Sequence, residues 1–430
     1  LRCLVGSEMC IRDSNSGFKM GLTPIIDGNV TIVIVAAILM GAFGPTDGFW
    51  AKVFNPIFYW FGPSTAGTIY SFGFTLLTSV LLNFVFGVWA TRVMIRGAVH
   101  FKPLRKAWLF GGKKEGGADF KTPSINFIGN RKKFYTFSCA LIAVVLVFCG
   151  IFGVKMDVEF KGGSMITLAY EGDADLSDLK STIGAELGKS NLTLQTGSDI
   201  SGNQTLTVTL PGSDTLTTEQ LDNLLTALNE QYPDNKFVQN EVSNVDATIG
   251  KEFLVKSVVA LVAACVLILL YVAYRFRKIG GLKAGSTAIV ALLHDMFVVF
   301  GVFVLLRIPL NGNFIAALLT ILGYSINDTV VIYDRIRENS ALYGKKQMSL
   351  AELVNLSVNQ SFARSLMTSI TTCLALGVVC VVSVIYRLDS IYSFAFPLLF
   401  GMVSGVYSTI CIATPLWVDW KNKKKAAKKA

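Results

Sequence analysis

Apolar blocks about 20 residues long, almost free of charge, recur along this chain at 26–43, 68–90, 134–154, 253–274, 284–306, 314–333, 365–386 and 391–417. A helix rising about 1.5 Å per residue needs about 20 residues to cross ~30 Å of hydrocarbon. Each block therefore predicts a transmembrane helix. Between the third and fourth blocks the pattern changes. SMITLAYEG alternates as a strand does, and LSDLKSTIGAEL has helical spacing after Asp175. LTLQTGSDI and QTLTVTL predict a hairpin turning at 201–203. TTEQLDNLLTALNEQY opens with a capping-box pattern, Thr217 with Gln220 three residues on, and KFVQNEVSNV closes the unit. Strand, helix, strand, strand, helix, strand is the ferredoxin-like split βαβ order.

The fold class is thus an α-helical polytopic membrane protein of eight spans with one extracytoplasmic α+β domain. Composition agrees: 52% of residues are hydrophobic, 16% are charged, and mean hydropathy is +0.53. A soluble chain carries about 25% charged residues. Charge also sets an expected orientation. Between Asp157 and Asp246, fifteen acidic residues face four lysines, a net of −11, while the remainder holds 35 basic against 14 acidic residues, or +21. The basic excess flanks the apolar blocks, as the positive-inside rule requires of cytoplasmic loops. The acidic domain is therefore expected outside, the C-terminus in the cytoplasm, and nucleic acid is not expected as a partner.

The expected organisation runs as follows. Residues 1–14 (LRCLVGSEMCIRDS) fit neither a signal peptide nor a helix start and are set aside as non-native sequence. Two spans occupy 15–96, and a basic linker with GGKKEGG covers 97–133. That linker lacks the G-x-x-x-x-G-K-[ST] spacing of a phosphate loop. A span at 134–154 leads into the domain at 155–249. Five spans fill 250–420, and 421–430 is a basic tail. Residues 334–362 read as an amphipathic connection along the inner surface. Six of the eight cysteines lie in apolar blocks, where a thiol acts as a small hydrophobe. No metal-ligand spacing and no hydrolytic constellation is visible.

Charged groups within the spans carry the candidate chemistry, because burying one there costs at least ~2.5–3.5 kcal/mol. Asp328 lies about 15 residues into an inward-running helix, with Asn327, Thr329 and Ser325 making one face polar. Burial favours the neutral form of a carboxyl and a nearby cation the charged one, so a moving partner could switch it. The competing reading is a permanently ion-paired or helix-capping aspartate. His294 and Asp295 lie near mid-membrane, about 100° apart on their helix. They suit either a proton path or a buried pair that orients two helices. Arg364 opens the seventh span at a depth that could approach Asp328, or it is an interfacial arginine with its head in water. The run Gly401, Ser404, Gly405 and Ser408 suits close helix packing.

The segments ALLHDM, AALLTILGYSINDTVVIYDRIREN and NQSFARSLMTSITT resemble the signature of SecF in the SecD/SecF family, and DVEFKGG resembles the element that opens its extracytoplasmic domain. Ahead of them, IIDGNVTIVIVAAIL and the span ending in ATRVMI are similar to the last two spans of SecD. The resemblance implies half of a resistance-nodulation-division bundle. It also implies an accessory component of the Sec translocase, which couples inward proton flow to late steps of protein export across the cytoplasmic membrane. Asp328 becomes the leading proton carrier, Arg364 its modulator, and Asn327, His294, Asp295 and Asp27 further coupling residues. Asp157, Phe160, Gly162 and Gly163 form the extracytoplasmic motif. Implied partners are the rest of SecD, the SecYEG channel, SecA, YajC, the exported unfolded polypeptide and lipids. No enzyme activity and no cofactor other than the proton gradient is implied. The alternatives are a proton-driven small-molecule exporter of the same superfamily, or a non-transporting scaffold.

Overall fold

The computed structural model describes residues 7–61, 67–101, 125–172, 174–188, 192–198, 204–211, 216–386 and 388–427. GGKKEGG, the turn at 201–203 and Arg387 lie outside them. Among the described residues, eight helices are long and apolar enough to cross a membrane.

The bundle opens with α1 (Ser7–Phe43), followed by the short α2 (Phe49–Phe58). Next comes α3 (Thr68–Leu82), which passes through a π-helical stretch at Asn83–Ala90 into α4 (Thr91–His100). Then α5 (Arg131–Phe152) leads to the one-turn α6 (Val158–Lys161). After the α+β domain come α9 (Ala247–Arg275), α10 (Gly281–Leu305), α11 (Gly312–Gln347) and α12 (Leu350–Ile385). The last span is α13 (Asp389–Ser408), which continues through a π-helical stretch at Thr409–Ala413 into α14 (Thr414–Ala427). Consecutive spans alternate in direction. Arg275, Arg277, Lys278 and Lys283 therefore share the end of the bundle opposite the domain.

The domain follows the expected order: β1 (Gly163–Tyr170), α7 (Leu176–Glu186), β2 (Thr193–Ser198), β3 (Gln204–Pro211), α8 (Thr218–Gln231) and β4 (Val238–Val245). The strands pair antiparallel in the order β2-β3-β1-β4. Alternation puts Ile166, Leu168, Leu206 and Val208 on one buried face, where Leu179 and Ile183 of α7 and Leu221, Leu224 and Leu228 of α8 cover it. Thr217 and Gln220 form the capping box that the sequence predicts. Gly162 and Gly163 join α6 to β1 with φ of 81° and 138°. A Cβ on Gly162 would lie 2.5 Å from Ala247 Cα, so only glycine lets the domain entrance pass the start of α9.

Two expectations need correction, the absence of a helix start before residue 15 and the surface course of 334–362. Residues 7–14 are helical and continuous with α1. The linker 97–133 is helical to His100, and its end, from Ile125, docks on α12. There the Ile125 and Phe127 amides donate to Asn359 (3.1 Å) and Asn355 (2.9 Å), and Phe127 and Ile128 are buried. Residues 334–362 do not lie along a surface. They complete a helical hairpin, α11 to α12, turned at Met348 and capped by Ser349 with Glu352. Its polar residues face each other: Asn339 Nδ2 donates to Ser357 (2.8 Å) and Gln360 (2.9 Å). Such pairing gives the same periodicity as an amphipathic helix. The basic tail is helical to Ala427.

Gly162→Ala should destabilise the protein by about 2 kcal/mol or more, because a left-handed residue and a backbone clash add. Gly377→Ala, on an open face of α12, should stay within ~0.5 kcal/mol. Thermal unfolding of the purified protein measures both.

Candidate functional site

Helix α11 is the central element. It is buried on nearly all sides, whereas α3, α5 and α12 leave most of their surfaces exposed. Its apolar residues pack against α1, α10, α12 and α13. Asp328 sits in this helix, buried, 16 residues beyond Gly312 and so about 24 Å along the axis. Among the described residues its carboxylate receives no hydrogen bond and makes no ion pair within 4.0 Å. Arg364 of α12 lies within electrostatic reach without touching it. Around them, Tyr324 and Thr372 hydroxyls bond α11 to α12. Ser365 and Ser369 of α12 have buried hydroxyls with no partner among the described residues. Asn327 lies against α1 so closely that a Cβ on Gly28 would meet its amide oxygen. In this arrangement Asp328 makes no ion pair within 4.0 Å among the described residues, and it lies mid-helix rather than at a cap.

Asp295 is built differently. It is fully buried on α10, and its two oxygens accept from three hydroxyls: Ser404 (2.6 Å), Ser325 (2.7 Å) and Ser408 (2.7 Å). His294 Nδ1 lies 3.4 Å from Asp295 Oδ1, and its Nε2 is buried without a partner among the described residues. The Tyr407 ring flanks the imidazole at 5.8 Å. Both residues therefore point into the bundle interior. Gly401 and Gly405 do allow α13 close to Ile321 and Ser325 of α11, but the serines between them cage a carboxylate.

Asp27 is also buried, and it is paired. Arg275 Nε donates to both of its oxygens at 2.8 Å, Arg275 Nη2 lies 2.7 Å from Oδ2, and the Tyr271 hydroxyl donates at 2.9 Å. Arg275 also reaches Asp334 of α11 at 3.9 Å, and Asp334 pairs with Arg337. The network ties α1 and α9 to α11 six residues beyond Asp328, but leaves Asp27 away from the free carboxyl.

The motif at 157–163 lies at the other end of α11. Backbone bonds join Asp157 N to Leu310 O and Leu310 N to Lys155 O, both 3.0 Å. Phe160 is buried against Phe253 of α9, which packs on Phe43 of α1. Glu159 Oε2 accepts the Gly312 amide at 2.6 Å. Burial pushes the Asp157 and Glu159 carboxyls above the usual carboxylate range, against hydrogen bonds from Val158 and Gly312 that act the other way.

The sequence singled out Asp328, Arg364 and Asn327, which the fold gathers, and His294 and Asp295, which form a second centre. Asp27 and the 157–163 motif stand apart. Sequence reasoning missed Tyr271, Arg275, Asp334 and Glu159 and the serine cage. Ser404 and Ser408 at i, i+4 share one face, and that spacing was the available signal.

The sequence profile of the family "Protein export membrane protein SecD/SecF, C-terminal" matches residues 225–423. The SecF translocase subunit of Alicyclobacillus acidocaldarius is 35% identical over 312 residues, covering 71% of this chain and 96% of that protein. SecDF of Bacillus subtilis is 28% identical over 423 residues, 95% of this chain and 52% of that one. The crystal structure of SecDF from Thermus thermophilus, a translocon-associated membrane protein, superposes with a TM-score of 0.71 at 27% identity, covering 96% of this chain. The chain spans about half the length of that structure.

Arg275→Leu should cost roughly 3–5 kcal/mol by leaving Asp27 buried and unpaired, and Asp27→Leu/Arg275→Leu should recover part of that loss in thermal unfolding. The raised carboxyls give a pH dependence of definite sign. The folded junction binds protons more readily than the unfolded chain, so its stability falls as pH rises through the window above the ordinary carboxylate value of about 4. Glu159→Gln removes one of the two groups, and its Tm should depend less on pH than that of the unaltered protein.

Proposed function

The chain belongs to the SecD/SecF family of protein-export membrane proteins, as a SecF-type subunit, and from that premise we propose that it is an accessory component of the Sec translocase that couples the proton motive force to late steps of protein export. The observation that carries this reading is the contrast among three buried carboxyls. Asp27 is held by Arg275, Asp295 is held by three hydroxyls, and Asp328 is held by neither. A carboxyl with a fixed counterion or a full set of donors stays in one charge state. Asp328, in the most enclosed helix and within electrostatic reach of the exposed Arg364 guanidinium, is free to gain and lose a proton as α11 and α12 shift.

In this reading Asp328 carries the proton and Arg364, charged at any biological pH, approaches to release it. Asn327, His294, Asp295 and Asp27 set the positions of α1, α10 and α13 around α11. Each proton crossing 100 mV supplies about 2.3 kcal/mol, enough to bias two conformations when the proton binds them unequally. The gradient is the energy source, with no cofactor. The α+β domain faces outward and the basic end, with the C-terminus, faces the cytoplasm of a cell whose inner membrane the bundle spans. The basic residues gathered opposite the domain support that orientation. Partners are the remaining SecD segment, the SecYEG channel, SecA, YajC, membrane lipids and the emerging unfolded polypeptide.

Export of a secreted protein into membrane vesicles, with and without an imposed proton gradient, tests the reading. Asp328→Asn should lower gradient-driven export to the level seen without a gradient, and Asp328→Glu should retain part of it. Full export by the asparagine variant would mark a scaffold. Lost resistance to a lipophilic toxic compound, with export intact, would mark a small-molecule exporter.

A further inference from the structure

Glu159 belongs to the domain entrance, yet its carboxylate ends on a different element. Gly312 is the first residue of α11, and the first amides of a helix have no partner within it. Asn311 accepts the Phe314 amide, and Glu159 accepts that of Gly312 at 2.6 Å. A carboxylate also suits the partial positive charge of a helix N-terminus.

The path on both sides of this bond is stiff. Toward the bundle, α11 runs unbroken from Gly312 to Asp328 and beyond, enclosed by its neighbours. Toward the domain, Glu159 lies in α6, which is wedged between the starts of α9 and α11. Gly250 of α9 abuts the backbone of Glu159, Phe160 and Gly162. From α6 the chain passes through Gly162 and Gly163 straight into β1, the strand that pairs with both β3 and β4. A displacement of α11 along its axis therefore reaches the sheet through the Glu159 side chain, bonded to the first residue of α11, with the 155–157 and 310 backbone bonds beside it.

We propose that Glu159 is the positioning residue that transmits movement of α11 to the α+β domain, by holding the first amide of the helix that carries Asp328. The proposal rests on the reading that Asp328 changes charge and that α11 shifts when it does. Glu159 touches no proton of the pathway and acts through α11 alone.

The test uses the full chain in lipid nanodiscs with a donor–acceptor fluorophore pair on unnatural amino acids at Asp222 of α8 and Val384 of α12, both exposed. The distance is compared between Asp and Asn at position 328, in three backgrounds: Glu159, Glu159→Gln and Glu159→Ala. The shift caused by Asp328→Asn should be present with Glu and with Gln, which keeps an acceptor oxygen, and absent with Ala. A purely structural role would lower the melting temperature of the alanine variant and leave the shift in place. Gly312→Pro severs the same bond from the donor side, at the first helical position where proline is tolerated, and should match Glu159→Ala. It decides the matter if the alanine variant does not fold. A shift that persists in both severed variants overturns the proposal. So does the absence of any shift with Glu159 intact, and the export assay of Asp328→Asn then tells whether the proton reading falls with it.

Discussion

A carboxyl enclosed by helices needs a hydrogen-bond donor or a cation to stay charged, and a proton to stay comfortable without one. Among the described residues Asp328 has neither a donor nor a touching cation, and it sits on α11, which packs against α1, α10, α12 and α13. The rest of the polar interior reads as the opposite case, in which groups are fixed. Arg275 joins α9 to α1 and α11, and Asp295 joins α10 to α11 and α13 through hydroxyls. These two centres are held by donors, whereas among the described residues Asp328 is not.

The arrangement also explains why the domain is attached as it is. Its entrance makes sheet-like backbone bonds to the α10–α11 turn, and its exit at Asp246 caps α9 directly, the side chain accepting the Thr248 amide at 2.7 Å. Two glycines with positive φ permit the close approach between these two attachments. A domain tethered by flexible linkers would not follow the bundle. This one is held at both ends by helix starts.

Much of the architecture was legible because two periodicities dominate it. Twenty-residue apolar blocks fix the spans, and a period of two fixes β1 and β3, down to the buried Ile166, Leu168, Leu206 and Val208. Asp328 was legible for the same reason: a charge in an apolar block stands out. What was hidden depends on partners distant in sequence. Ser404 and Ser408 look like packing residues until Asp295, more than a hundred residues earlier, is placed between them. Arg275 looks like a boundary arginine until Asp27 arrives from the first helix. Glu159 has no signal at all in its own segment, since its partner is a glycine amide at 312. The 334–362 hairpin misled because a polar stripe facing water and one facing another helix have the same spacing.

The charge state of Asp328 can be read directly. Infrared difference spectroscopy of the protein in lipid, with and without an outward-acidic proton gradient, resolves the C=O stretch of a protonated buried carboxylic acid. The account predicts a band that grows or fades with the gradient and vanishes in Asp328→Asn while surviving in Asp295→Asn. A carboxyl band that stays constant under every gradient, or a gradient response left intact by Asp328→Asn, would contradict it.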